Sequence, residues 1–211
     1  MVIELCRTFA YGRLRLPKRI AEQRVLSSHY QSVVLVWLIP TFCLDFYFKQ
    51  NELIVKTGEI NQNIYIPKEG IYRGFLYQGG KETTLYFGME GDIVASIYSY
   101  YRGEPSVITI EACCDSVIMK ISKQDIDKLI HESVEFANWS LNVTLQQLYG
   151  IERKRTVIVG NAYERYNSFV KKRAALLQKV PLRIIASYLG ITQQSLSRLR
   201  NPRYKNNPSD K

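Results

Sequence analysis

Histidine is almost missing from this 211-residue chain, which has 2, His29 and His131. Neither lies in the strand-rich middle of the sequence, so a metal-binding cluster inside a β-barrel has no imidazole ligands to draw on. A cupin-type metalloenzyme is the enzyme class this disfavours; no catalytic residue, metal or resident cofactor is expected. Cysteine is also sparse. The 4 residues Cys6, Cys43, Cys113 and Cys114 contain no Cys-x-x-Cys pair, which argues against structural zinc, an iron-sulfur cluster and a secreted disulfide framework, and predicts a reducing cytoplasm. Cys113 and Cys114, read as neighbours on a strand, would point to opposite faces and are taken as two ordinary thiols. A long apolar run is missing too. Val33 to Ile39 is broken at Pro40, well short of the roughly 20 residues that span a bilayer, and no cleavage site follows it. It reads as a buried strand or helix of the first domain, with a membrane anchor as the weaker alternative because a basic segment, Arg13 to Arg24, precedes it.

Acidic residues are scarce in one region. From Gly150 to Lys211 there are 3 against 14 lysines and arginines, a net charge of +11, which leaves 15 basic and 16 acidic residues in the rest of the chain. Localised positive charge is the footprint of a polyanionic partner, whereas a merely basic protein would spread it. A solvated charged tail is the bland alternative. It leaves unexplained the pattern Leu182-Arg-Ile-Ile-Ala-Ser-Tyr-Leu-Gly-Ile-Thr-Gln-Gln-Ser-Leu-Ser-Arg-Leu-Arg200 inside the same region. Ile185, Leu189, Ile191, Leu196 and Leu199 recur at helical spacing, and Ala186 leaves room for close packing. Gly190 supplies a positive φ between two helices. Thr192 stands where an N-cap belongs, so the second helix starts at Gln193. This is a helix-turn-helix pattern.

Upstream, 8 of the 12 glycines fall between Gly58 and Gly103, among short β-rich runs at Leu53 to Lys56, Asn63 to Ile66, Ile71 to Tyr77 and Thr83 to Gly88. Two more follow at Val107 to Ala112 and Val117 to Ile121. About eight short strands with a Gly79-Gly80 hairpin signal predict a jelly roll. Ser122, with Asp125 three residues on, opens a helix to about His131. A longer helix is expected from Ser133 to Lys154, with Ala137, Leu141, Thr144, Leu145, Leu148 and Ile151 on one stripe. That stripe either packs on its own β-domain or pairs with a second copy, Leu141, Leu145 and Leu148 being the dimer candidates. Gly160-Asn161 marks the next break. After it a helix buries Ala162, Tyr166, Phe169, Val170, the stem of Arg173, Leu176 and Leu177. The class is therefore α+β: an atypical segment (1–46), a jelly-roll sensor-like domain (47–122), a helical connector (123–158) and a helix-turn-helix domain (159–211).

This order resembles the Crp/Fnr family of bacterial transcription regulators. The residues carrying the likeness are Val55-Lys-Thr-Gly-Glu59, Glu69-Gly-Ile-Tyr-Arg-Gly74, Gly91-Asp-Ile-Val-Ala-Ser96, Ile110-Glu-Ala112, Ser122-Lys-Gln-Asp125 and Pro181 to Arg200. The short stretch after Arg200 looks like Bacteroidetes-type members, and residues 1–46 match nothing in the family pattern. The resemblance implies a cytoplasmic homodimer on double-stranded DNA, with RNA polymerase as a further candidate partner. It also implies an effector pocket around Ala95, Ser96, Tyr98, Arg102, Pro105 and Ser106. Nucleotide-binding members carry a Gly-Glu pair and an Arg-Ser/Thr pair where this chain has Ala95-Ser96 and Pro105-Ser106. A buried phosphodiester with no cation partner is costly, and Arg102, the nearest substitute, reads as an exposed loop residue. Cyclic AMP is therefore not the expected effector. Cys6 and Cys43 do not make the cysteine set of an oxygen-sensing cluster, and His29 and His131 are unsupported as haem ligands. Tyr98, Tyr100 and Tyr101 read as packing residues, with an aromatic pocket as the alternative.

If the second helix enters a major groove, Gln193, Gln194, Ser197 and Arg198 face the bases. Arg183, Thr192, Ser195, Arg200, Arg203 and Lys205 would then hold the phosphate backbone. An interaction module whose helix-turn-helix meets protein instead of DNA is the competing reading, and the tail charge argues against it.

Overall fold

A computed structural model describes residues 44–158 and 160–201. The 33–39 run, the 13–24 segment, Cys6, Cys43, His29, Arg203 and Lys205 lie outside the described residues.

Two antiparallel sheets form a sandwich. One has the order β1 (Leu44–Phe48), β7 (Ser116–Ser122), β3 (Asn63–Glu69). The other runs β2 (Leu53–Val55), β6 (Thr109–Ala112), β4 (Tyr72–Gln78), β5 (Lys81–Gly88). The interior follows from alternation along each strand: Tyr72, Ile110, Ala112 and Ile118 are fully buried between the sheets with Val55, Tyr65 and Val94. Pro67 is tolerated because β3 is an edge strand, and its pairing with β7 shifts at that point. Gly79 and Gly80, both with positive φ, close the β4–β5 hairpin at the pair Gln78 and Lys81, as a two-residue primed turn requires.

The sequence leads one to expect about eight strands; seven strands are described, with a single bridge between Tyr65 and Val94 beside β3. The last part of the glycine-rich stretch is instead a short helix, α1 (Ile97–Arg102), closed by Gly103 in the left-handed conformation. Cys113 and Cys114 follow the end of β6 rather than lying on a strand. Cys113 is buried, and burial pushes its thiol up to about 12.

Ser122 caps α2 (Lys123–Glu132) by accepting the Asp125 N–H at 3.1 Å. α3 (Val134–Ile158) is the longest described element. α4 (Ala162–Arg173) opens with a reciprocal box: Asn161 Oδ1 accepts the Glu164 N–H at 2.9 Å, and Glu164 Oε2 accepts the Asn161 N–H at 3.0 Å. α5 (Leu176–Lys179), α6 (Leu182–Leu189) and α7 (Gln193–Arg200) complete the chain. Their core joins Tyr166, Phe169, Leu176, Ile184, Ile185, Leu189 and Leu196 to Ile71, Phe87 and Cys113 of the sandwich. No helix among the described residues is long and apolar enough to cross a membrane.

Candidate functional site

The turn between α6 and α7 is built as its residues dictate. Gly190 has φ 66°, its N–H reaches Ser187 O at 3.2 Å, and the Ile191 N–H reaches Ala186 O at 3.0 Å. This paired closure satisfies the last carbonyls of α6 and turns Ile191 back toward the core. Thr192 Oγ1 then accepts the Ser195 N–H at 3.1 Å and starts α7. Leu196 is fully buried against α6, which fixes the rotation of α7 about its axis.

That rotation leaves Gln193, Gln194, Ser197 and Arg198 exposed together, with Arg200 at the end of the helix. Arg198 and Arg200 have no ion-pair partner among the described residues. Thr192 and Ser195 sit at the N-terminus, their hydroxyls 2.9 Å apart. Arg183 stands on the first turn of α6, exposed but 3.3 Å from Glu82.

Along α3, Phe136 and Val143 are buried, while every described side chain from Thr144 to Glu152 is exposed. Leu141, Leu145 and Leu148 are 58%, 52% and 62% exposed, with Ile151 on the same stripe.

The six residues expected around an effector lie on α1 or beside its two ends. Ser96 and Ser106 are buried with their hydroxyls 2.7 Å apart, and Ser106 Oγ also donates to Ile108 O at 2.7 Å. Ala95 is buried, and its carbonyl accepts the Tyr86 hydroxyl at 3.0 Å. Pro105 is exposed. Tyr98 lies on the outside of α1, where its hydroxyl donates to Glu104, and Arg102 is 3.4 Å from the same carboxylate. An open groove of about 410 Å³ lies elsewhere, on the outer face of the four-stranded sheet, lined by Leu53, Lys56, Phe75, Tyr77, Val107 and Thr109 among others. Among the described residues no group of three histidine, cysteine or acidic side chains is placed to hold a metal.

Sequence reasoning missed a charge cluster on that outer face. Arg73, almost wholly buried, donates through Nε to Glu111 and through Nη1 to Glu82, both at 2.6 Å. Burial pushes the Glu82 carboxyl up, but the hydrogen bond and charge of Arg73, with Tyr77 and Arg183, outweigh it and hold the group below the usual carboxylate range. The signal available was an arginine between Tyr72 and Gly74 in a strand that continues Phe75-Leu-Tyr77. Its partners are 9 and 38 positions away, so no local pattern could name them.

Residues 46–133 match the cyclic nucleotide-binding domain family. No curated protein sequence matches the chain. The fold is similar to that of FixK2 from Bradyrhizobium japonicum, with a TM-score of 0.64 and 20% identity over 74% of this chain and 82% of the other. It is also similar to a mutant of CooA from Carboxydothermus hydrogenoformans, at 0.57 and 21% over 92% and 86%. The c-di-GMP-responsive global regulator CLP from Xanthomonas campestris aligns at 0.58 and 13% over 75% and 85%. At these identities the likeness is one of fold.

Proposed function

We propose that this chain is a Crp/Fnr-type transcription regulator that binds a pseudo-palindromic DNA operator as a homodimer and works without cyclic AMP. The observation that carries the reading is the exposed face of α7. Gln193, Gln194, Ser197 and Arg198 project from a helix pinned by a fully buried Leu196, in the part of the chain with a net charge of +11. Arginine suits the O6 and N7 acceptors of guanine, glutamine the N6 and N7 pair of adenine, and serine tolerates either. Arg183, Thr192, Ser195, Arg200, Arg203 and Lys205 take the phosphates. Two such heads are brought side by side by pairing of the Leu141, Leu145, Leu148 stripe, because exposed leucines along a long helix leave apolar surface uncovered. The cellular setting is cytoplasmic, with RNA polymerase as a further partner.

Selection from random duplex DNA tests the proposal. The expected product is a two-fold related sequence with half-sites about 34 Å apart or a multiple of that spacing. In titrations at fixed salt, Arg198→Ala is expected to cost about 1–3 kcal/mol on the selected site and to relax one base position, while Lys205→Ala weakens all sequences alike. Equal loss on selected and random DNA for Arg198→Ala removes it from the reading face.

A further inference from the structure

α6 does more than support α7. It lies along β5, the edge strand of its sheet, and supplies that edge with a partner. Ser187 Oγ donates to Glu82 O at 3.0 Å and accepts the Thr84 N–H at 2.9 Å, so one side chain satisfies two of the backbone groups that an edge would leave open. One turn earlier, Arg183 Nη1 lies 3.3 Å from Glu82 Oε1. The same carboxylate is fixed from behind by Arg73 at 2.6 Å and by the Tyr77 hydroxyl at 2.9 Å. Tyr188 packs between Phe87 and Phe169, at ring-centroid distances of 5.1 and 5.7 Å. Arg173 Nη1 donates to Phe87 O at 2.9 Å.

Arg183 is thus asked to do two things. Its guanidinium is still largely exposed, and the DNA-binding reading needs it for a phosphate. A phosphate offers a fork of oxygens that matches guanidinium geometry better than the single 3.3 Å contact to Glu82. Resting on that reading, we propose that the α6–β5 seam is an intramolecular lock on nucleic-acid binding, in which Glu82 and the phosphate backbone compete for Arg183. The chain carries its own anion at the place where the ligand's anion belongs. Whatever loosens the seam then strengthens binding, and binding loosens the seam by the same factor, because the coupling is reciprocal.

The Thr84 amide reports the seam directly, since its hydrogen-bond partner is Ser187 and not the sheet. Hydrogen exchange at Thr84 is followed in the full chain alone, with saturating random duplex DNA, and with heparin, a polyanion that has no bases. In parallel, Glu82→Gln and Ser187→Ala are titrated against the duplex. The first removes the competing charge; the second cuts the seam without touching any charge. An exposed ion pair sets the scale, so each variant is expected to bind about two- to fivefold tighter than the parent, and both polyanions are expected to speed Thr84 exchange. Parent-like affinity in Ser187→Ala, or Thr84 exchange unchanged by bound polyanion, overturns the lock. A parent chain that ignores duplex DNA while heparin still opens Thr84 sinks the DNA reading and leaves the lock standing as a polyanion switch. Heparin bound with Thr84 still protected sinks the lock by itself.

Discussion

At Ser96 and Ser106 the polar atoms face each other across 2.7 Å in buried positions on either side of α1, whereas at Gln193, Gln194, Ser197 and Arg198 they face outward. Both regions belong to the same chain and both are held in place, the first by hydrogen bonds of Ser106 to Ser96, Gly58, Glu59 and Ile108 and the second by Leu196 and the Gly190 turn. What differs is where hydrogen-bonding capacity is spent. The serine pair is satisfied within the protein, so a ligand arriving there must first break what it would replace. On the face of α7, Gln193, Gln194, Ser197 and Arg198 are exposed, and the positive charge of this region favours an anionic partner. A binding function is therefore better placed at the terminal helices than in the fold's sensor-like half.

Four substitutions or additions test that contrast, beginning with the largest effect. Arg73→Ala strips the partner from two carboxylates, Glu111 and Glu82, in a site where the arginine is 2% exposed. Breaking a buried pair in this way costs about 3–5 kcal/mol, to be read as a lowered urea midpoint. A loss below 1 kcal/mol would mean that water reaches the cluster and that the outer face of the sheet is open. Leu196→Ala follows at about 2–5 kcal/mol. It frees α7 to rotate, so the same variant is expected to lose discrimination between selected and random DNA in a titration. Unchanged discrimination would detach the reading face from the packing said to aim it.

These residues also show what a sequence can and cannot reveal. The α6–α7 unit was legible because each of its parts carries a local signal: apolar residues at helical spacing, Gly190 for the left-handed turn, Thr192 for the cap. The strands were legible from alternation and from Gly79-Gly80, although Ile97–Arg102 folds as a helix despite three tyrosines that favour strands. Its one helical signal is Gly103, where the left-handed conformation ends the turn. The contacts of Arg73 with Glu111, and of Arg183 and Ser187 with β5, join residues 38, 101, 103 and 105 positions apart. Long-range pairing of this kind depends on the whole topology and leaves no periodic trace.

A smaller effect is expected at the border between the two regions. Asn161→Ala removes the acceptor for the Glu164 N–H at the start of α4 and should lower stability by about 1 kcal/mol in the same denaturation experiment. Because Asn161 lies between α3 and the terminal helices, the loss should be confined to local opening. Hydrogen exchange should rise over the first turn of α4 while the amides of β4 and β6 stay protected. Faster exchange in the sandwich as well would show that the two regions unfold as one.

The smallest effect is the most pointed, because it sets the match of residues 46–133 to a cyclic nucleotide-binding domain against the residues that occupy the pocket positions. That match spans the strands, their turns and the helix capped by Ser122. The two pairs that would hold a ribose and a cyclic phosphate are Ala95-Ser96 and Pro105-Ser106. The serines bond to each other, the proline is exposed, and Arg102, the nearby cation, is turned to Glu104. A nucleotide entering there would bury a negative charge beside a cation, Arg102, that is already turned to Glu104, and would break the serine pair as well. A ligand present at a hundred times its Kd adds about 2.7 kcal/mol to stability, which would move a melting temperature by several degrees. Millimolar cyclic AMP is therefore expected to leave the melting temperature where it was, and a rise of several degrees would show that the serine pair opens and that another group supplies the missing charge.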